Sequence, residues 1–210
     1  AMQALDTVDT IYTGWDIGDA KPEKSSSQQG TNAAVLHAIE QMTGRVQIFR
    51  DNRFEMARPL APITVRYPGL PSFEGCIFGH PEAVTFPHNY PKLRASLNLA
   101  HGGGIDSWLL KTIMRLVDWR LISKVRAANF LTWFEKTIDV SAQVNGPEAP
   151  PVMYGLAIGA KDGRPASVGV SFIDPATQAA EANEIGMGAI TGIPLACGVK
   201  FLIDGQLKET

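Results

Sequence analysis

Apolar and polar positions change period several times along this chain. Val8–Gly14 alternates and is rich in β-branched residues, which predicts a strand. Asp19–Gly30, ending in KPEKSSSQQG, has no apolar period and reads as an exposed, mobile loop. Thr31 then stands where a helix cap belongs. Val35, Leu36, Ile39 and Met42 follow on one face of a helix to about Thr43, and Gly44 supplies the stop. Arg45–Met56 reads as a hairpin turning at Asp51-Asn52. Ile63–Tyr67, Cys76–Gly79 and Leu93–Leu99 are further strand candidates, the first two separated by the Pro/Gly-rich Pro68–Pro71.

The second half opens with helical spacing. Over Asp106–Leu121, a buried stripe of Leu109, Ile113, Leu116 and Val117 stands against a solvated stripe of Lys111, Arg115 and Asp118. A shorter helix follows, with Phe130, Leu131, Phe134 and Ile138 on one side. After a turn at Asn145–Pro151, Val152–Ala160 and Ala166–Ile173 form the clearest hairpin, turning at Asp162-Gly163. Val152, Tyr154, Leu156 and Ile158 give it a bulky face. Gly155, Ala157, Gly159, Gly169 and Ser171 are assigned to the opposite face, where small residues admit another surface. The last helices occupy about Glu181–Ile203. There Pro194 suits a first helical position, Leu195, Val199 and Leu202 repeat at helical spacing, and Gly205 is the stop. Together these elements predict one α+β domain over residues 1–210: a mixed, largely antiparallel sheet with helices mainly on one face. Pro147–Pro151 is the only candidate linker.

Composition narrows the function classes. The chain has 210 residues, 45% of them hydrophobic, which suits a globular domain and is too apolar for disorder. Its 19 basic and 21 acidic residues are interspersed and leave a net charge of −2. That balance argues against nucleic-acid and acidic-membrane partners. The uncharged stretch Ile185–Val199 is too short and too interrupted for a membrane span, and reads as a buried helix pair. Cys76 and Cys197 sit in apolar runs and are expected to be buried, reduced core residues of a cytoplasmic protein, with a disulfide between them as the alternative.

Polar chemistry concentrates between His80 and His101. His80, Glu82, His88 and His101 match no established metal spacing, so no metal site is expected. His101-Gly102-Gly103-Gly104 is the kind of loop that builds an oxyanion hole in esterases, but no G-x-S-x-G elbow accompanies it. The glycines offer backbone N–H groups to a ligand carboxylate at the start of a helix. No G-x-G-x-x-G occurs, so the chain lacks the glycine-rich turn that cradles a dinucleotide.

Two segments carry a family resemblance: FGHPEAVTFP at Phe78–Pro87 and TGIPLACGVKFLIDG at Thr191–Gly205. His80-Pro81-Glu82 is similar to an HPE-type turn after a strand, and Thr191-Gly192-Ile193-Pro194 leading to Asp204-Gly205 to a TG-x-P helix ending in DG. In these the chain resembles saccharopine dehydrogenase-like NAD(P)-dependent reductases, the saccharopine reductase and carboxynorspermidine dehydrogenase type, in the domain that follows the nucleotide-binding part. The resemblance implies a substrate-binding and dimerisation domain of an oxidoreductase. It implies a homodimer, an amino-acid-like substrate, NAD(P) held outside this chain, and no activity of this part alone. His80, Glu82, His101, Gly102 and Gly103 are the expected substrate-binding residues; no catalytic residue is assigned. The rival reading is a non-catalytic binding or assembly domain sharing the fold.

Overall fold

The computed structural model describes residues 1–17, 33–102, 108–137, 148–171 and 187–206. The Asp19–Gly30 loop, the Thr31 cap, Gly103, Gly104, Ile138 and the first part of the last helical region lie outside them. Among the described residues eight strands form one sheet: β1 (Thr7–Asp16), β2 (Val46–Arg50), β3 (Arg53–Ala57), β4 (Pro62–Val65), β5 (Phe73–Ile77), β6 (Ala95–His101), β7 (Met153–Lys161) and β8 (Arg164–Ser171). The main path runs β3-β2-β6-β1-β7-β8, with the β4–β5 hairpin joined to β6 through β5. Of the pairs, β1–β6 is parallel and the rest are antiparallel. The helices are α1 (Ala33–Gln41), α2 (Glu82–Asn89), α3 (Trp108–Asp118), α4 (Lys124–Thr137) and α5 (Met187–Ile203). The expected α+β class, with a mixed and mostly antiparallel sheet, is what the chain adopts.

Alternation along the strands divides the interior in two. On one face Cys76, Phe78 and Ala100 meet Ile39 and Met42 of α1, Leu110, Ile113, Met114 and Val117 of α3, and Ala127 and Ala128 of α4. On the other, Val46, Ile48, Val65, Ile77, Leu97, Leu99, Tyr154 and Leu156 pack without a helix among them. The polar turn residues behave as their chemistry asks. Asp51 and Asn52 take positive φ between β2 and β3, as do Asp162 and Gly163 between β7 and β8.

Several expectations need correction. The stripe of α3 is rotated: Leu110 and Met114 are buried, whereas Leu109 and Leu116 are only partly so. The helix after it is not the shorter one, with 14 residues against 11. It packs through Ala127 and Ala128, and Phe130 is exposed. The segment after His80-Pro81 is the unforeseen helix α2, which tolerates Pro87 near its end. Pro194 lies inside α5 rather than in its first turn. That helix is not buried: Leu195, Leu202 and Ile203 are exposed, and so is Cys197. Cys76 is buried, and no disulfide joins the two. Finally, the register sets Gly169 opposite Leu156 and Ser171 opposite Tyr154. Directly paired residues share a face. Both therefore lie on the bulky face, with Gly169 under the Tyr67 ring.

Two glycines of the sheet make opposite demands. Gly14 lies under the Tyr154 ring, where any Cβ would collide, whereas a Cβ on Gly155 would meet none of the described residues. Gly14→Ala should therefore destabilise by roughly 1–3 kcal/mol through overpacking. Gly155→Ala should be neutral or stabilising by up to about 1 kcal/mol, because it restricts the unfolded chain. Urea unfolding of the two variants measures the contrast.

Candidate functional site

The site is built from the polar side chains of a buried strand. Ser96 and Asn98 of β6 are 1% and 3% exposed. Burying such groups is favourable only if they are hydrogen-bonded, and both bond to the start of α2. The Ala83 amide donates to Asn98 Oδ1 at 3.0 Å, which satisfies one of the helix's unpaired N–H groups. Ser96 Oγ donates to the Glu82 carbonyl at 3.4 Å. The His80-Pro81-Glu82 turn is thereby held over the sheet. His80 rests on Trp15 with ring centroids 4.7 Å apart, edge to face, and Trp15 meets Phe78 at 5.6 Å.

The turn borders a cleft of about 420 Å³. Ile11, Thr13 and Trp15 of β1 and Met153, Gly155 and Ala157 of β7 share its sheet face. His80, Glu82 and Phe86 close it from the α2 side. The lining is largely apolar with a few polar groups, the usual make-up of a small-molecule site. His80 Nδ1 contacts the Glu82 carboxylate. That contact places the proton on Nδ1 and leaves Nε2 as an acceptor. Burial, and secondarily His37, holds the His80 pKa below its ordinary value, so the ring is neutral at pH 7. Thr13 Oγ1 and Trp15 Nε1 are buried atoms with no hydrogen-bond partner among the described residues. A neutral imidazole oriented by a carboxylate, beside unpaired donors in an apolar cleft, can accept a proton from a bound ligand or hydrogen-bond its polar group.

Not every expected residue arrives there. His101 projects from the opposite face of β6, where its ring lies 5.5 Å from Phe73 and 5.8 Å from Tyr154. His80 and His101 therefore do not border one site, because they are on different faces of the sheet. Gly102 takes φ +65, and a Cβ there would strike the Asp16 carboxylate, so its glycine serves the backbone. Gly103 lies outside the described residues. His88 stacks on Phe54 at 5.4 Å, away from the cleft. Arg50 reaches Glu55 at 3.5 Å, and neither Arg66 nor Arg94 lines the cleft. Among the described residues no three His, Cys, Asp or Glu side chains gather as a metal site would need. Sequence reasoning missed Thr13 and Trp15, and named Gly155 only as part of a small-residue face. Their signal was strand alternation, which puts Ile11, Thr13 and Trp15 on one face, but not which face carries a cleft.

No family model matches the chain, and no curated protein matches it. Among solved structures, one match is apo histidine-tagged saccharopine dehydrogenase (L-Glu forming) from Saccharomyces cerevisiae. It has 10% identity and a TM-score of 0.37, over 97% of this chain and 60% of that one. The chain thus spans 60% of that protein's length.

Buried His101 has a measurable consequence. Burial drives its pKa down to about 4, against a smaller opposing pull from the Pro151 backbone, and among the described residues neither ring nitrogen has a hydrogen bond of good geometry. The unfolded imidazole takes up a proton near pH 6.5; the folded one refuses it until about pH 4. Stability is therefore complete above pH 6.5 and declines as pH falls toward 4, by up to about 3 kcal/mol. Denaturant unfolding between these limits should show that slope, and His101→Leu should remove most of it.

Proposed function

We propose that this chain is the substrate-binding part of an NAD(P)-dependent oxidoreductase of the saccharopine dehydrogenase-like type, acting on an amino-acid-derived substrate. The observation that carries this reading is the placement of the HPE turn. The motif that bears the family resemblance is also the one whose histidine and carboxylate meet at the mouth of an apolar cleft. In this reading His80 and Glu82 orient the substrate's polar group, and His80 Nε2 accepts a proton or hydrogen bond from it. The Gly155–Ala157 floor admits the substrate's aliphatic part.

The residues present do not suit a dinucleotide. No glycine-rich phosphate turn occurs in the sequence, so the nicotinamide belongs to another part of such a protein. A two-fold homodimer is part of the same reading. The family resemblance supports it, and β8 ends the sheet path with Val170 exposed.

Calorimetric titration of this chain with NADPH or NADH should give no micromolar binding. In a protein that joins it to a nucleotide-binding part, His80→Ala and Glu82→Gln should each lower kcat/KM by about a hundredfold or more while leaving the unfolding midpoint within the usual range of surface changes. Unchanged kinetics in both would instead favour the non-catalytic binding domain.

A further inference from the structure

The corner between α3 and α4 displays an unusual mixture. Trp119 is 68% exposed and Leu121 65%, with Val125 beside them at 45%. This exposure is not fraying. Arg120 takes φ +59, and the amides of Arg120 and Leu121 bond to the carbonyls of Val117 and Leu116, both at 2.9 Å. That is the bonding of a helix-terminating Schellman turn, whose residue after the turn ordinarily packs back on the helix. Here Leu121 stays in solvent. Ser123 then starts α4 by accepting the Arg126 amide at 3.2 Å, so the corner is braced on both sides.

Charge is concentrated at the same place. Residues 115–126 hold Arg115, Arg120, Lys124 and Arg126 against Asp118 alone, in a chain whose net charge is −2. The Asp118 carboxylate accepts the Gly44 amide at 2.7 Å, and Lys124 pairs with Glu40 at 3.2 Å. Arg115, Arg120 and Arg126 have no ion pair among the described residues. Arg115 lies one helical turn before Trp119. It also lines a cavity of about 290 Å³ with Arg58, Lys111 and the Asp118 carboxylate, and with Leu60 and Met114 as apolar walls, so that three cations there stand against one acid. An indole and a leucine projecting beside arginines, next to a basic cavity with apolar walls, match the layered chemistry of a phospholipid surface.

We propose that this corner docks on an anionic lipid bilayer. Trp119 and Leu121 enter the headgroup layer, and Arg115, Arg58 and Lys111 receive a lipid phosphate. The near-neutral total charge masked this, because attraction falls off within a Debye length and depends on local charge. The docking is peripheral; among the described residues no helix is long and apolar enough to cross a membrane.

Co-sedimentation of the full chain with sucrose-loaded vesicles tests it. Vesicles of phosphatidylcholine with about a quarter phosphatidylglycerol should bind the chain, pure phosphatidylcholine should not, and added salt should weaken binding. Trp119→Ser with Leu121→Ser, and separately Lys111→Gln with Arg115→Gln, should each lower the partition coefficient at least several-fold. All four side chains are at least partly solvent-exposed, so the variants should fold, which circular dichroism verifies. Absent binding, equal binding to neutral vesicles, or binding unchanged in both variants overturns the proposal. So does self-association abolished by the corner variant without lipid, which would make this a protein interface. Binding of inorganic phosphate without vesicle binding also overturns it, since the cavity would then serve a soluble anion. None of these outcomes bears on turnover at His80, so this inference and the proposed function fail separately.

Discussion

Ala95–His101 is hydrogen-bonded along both edges and buried on both faces. β1 covers one edge, and β2 and β5 share the other. A strand so enclosed has one tolerable register. Sliding it by one residue would carry Leu97 and Leu99 to where Ser96 and Asn98 now bond to α2, and would bury the two polar groups among aliphatic side chains. The cost of leaving buried polar atoms unpaired thus sets the register, and the register sets both cores.

The cleft follows from that arrangement. Ser96 and Asn98 anchor the first turn of α2, which holds His80 and Glu82 over the face formed by β1 and β7. The small residues of β7 leave the space beneath open; larger ones would have filled it. The His80–Glu82 pair therefore owes its position to a neighbouring strand's polar side chains rather than to its own loop. On the far side of the sheet, the same alternation sends His101 into an aromatic cluster with Phe73, Tyr67 and Tyr154. Burial raises the pKa of Tyr67 and Tyr154 and lowers that of His101, so all three stay neutral there.

The surface divides along similar lines. α3 and α4 enter the core through Leu110, Ile113, Met114, Ala127 and Ala128, α4 packing chiefly on α1. The larger apolar residues Val125 and Phe130 of α4 are left outward. An apolar residue on a helix thus did not identify the buried face; residue size and the partner surface did. The same holds for α5, which is apolar around its circumference yet exposed.

The sequence by itself determined what depends on near neighbours along the chain. Alternation and turn chemistry located the β2–β3 and β7–β8 hairpins, because Asp51-Asn52 and Asp162-Gly163 adopt positive φ at low cost. Periodicity located α1, α3 and α4 and supported the α+β class. The HPE turn was legible as a motif after a strand. Only the tertiary structure decided which side of the sheet each residue served. The separation of His80 from His101, the move of Gly169 to the Tyr67 side and the rotation of α3 were of this kind. So was the gathering of Thr13, Trp15 and Gly155 around the cleft. The physical reason is that side-chain direction is a local property of the backbone, whereas the surface it meets is fixed by pairing between strands distant in sequence.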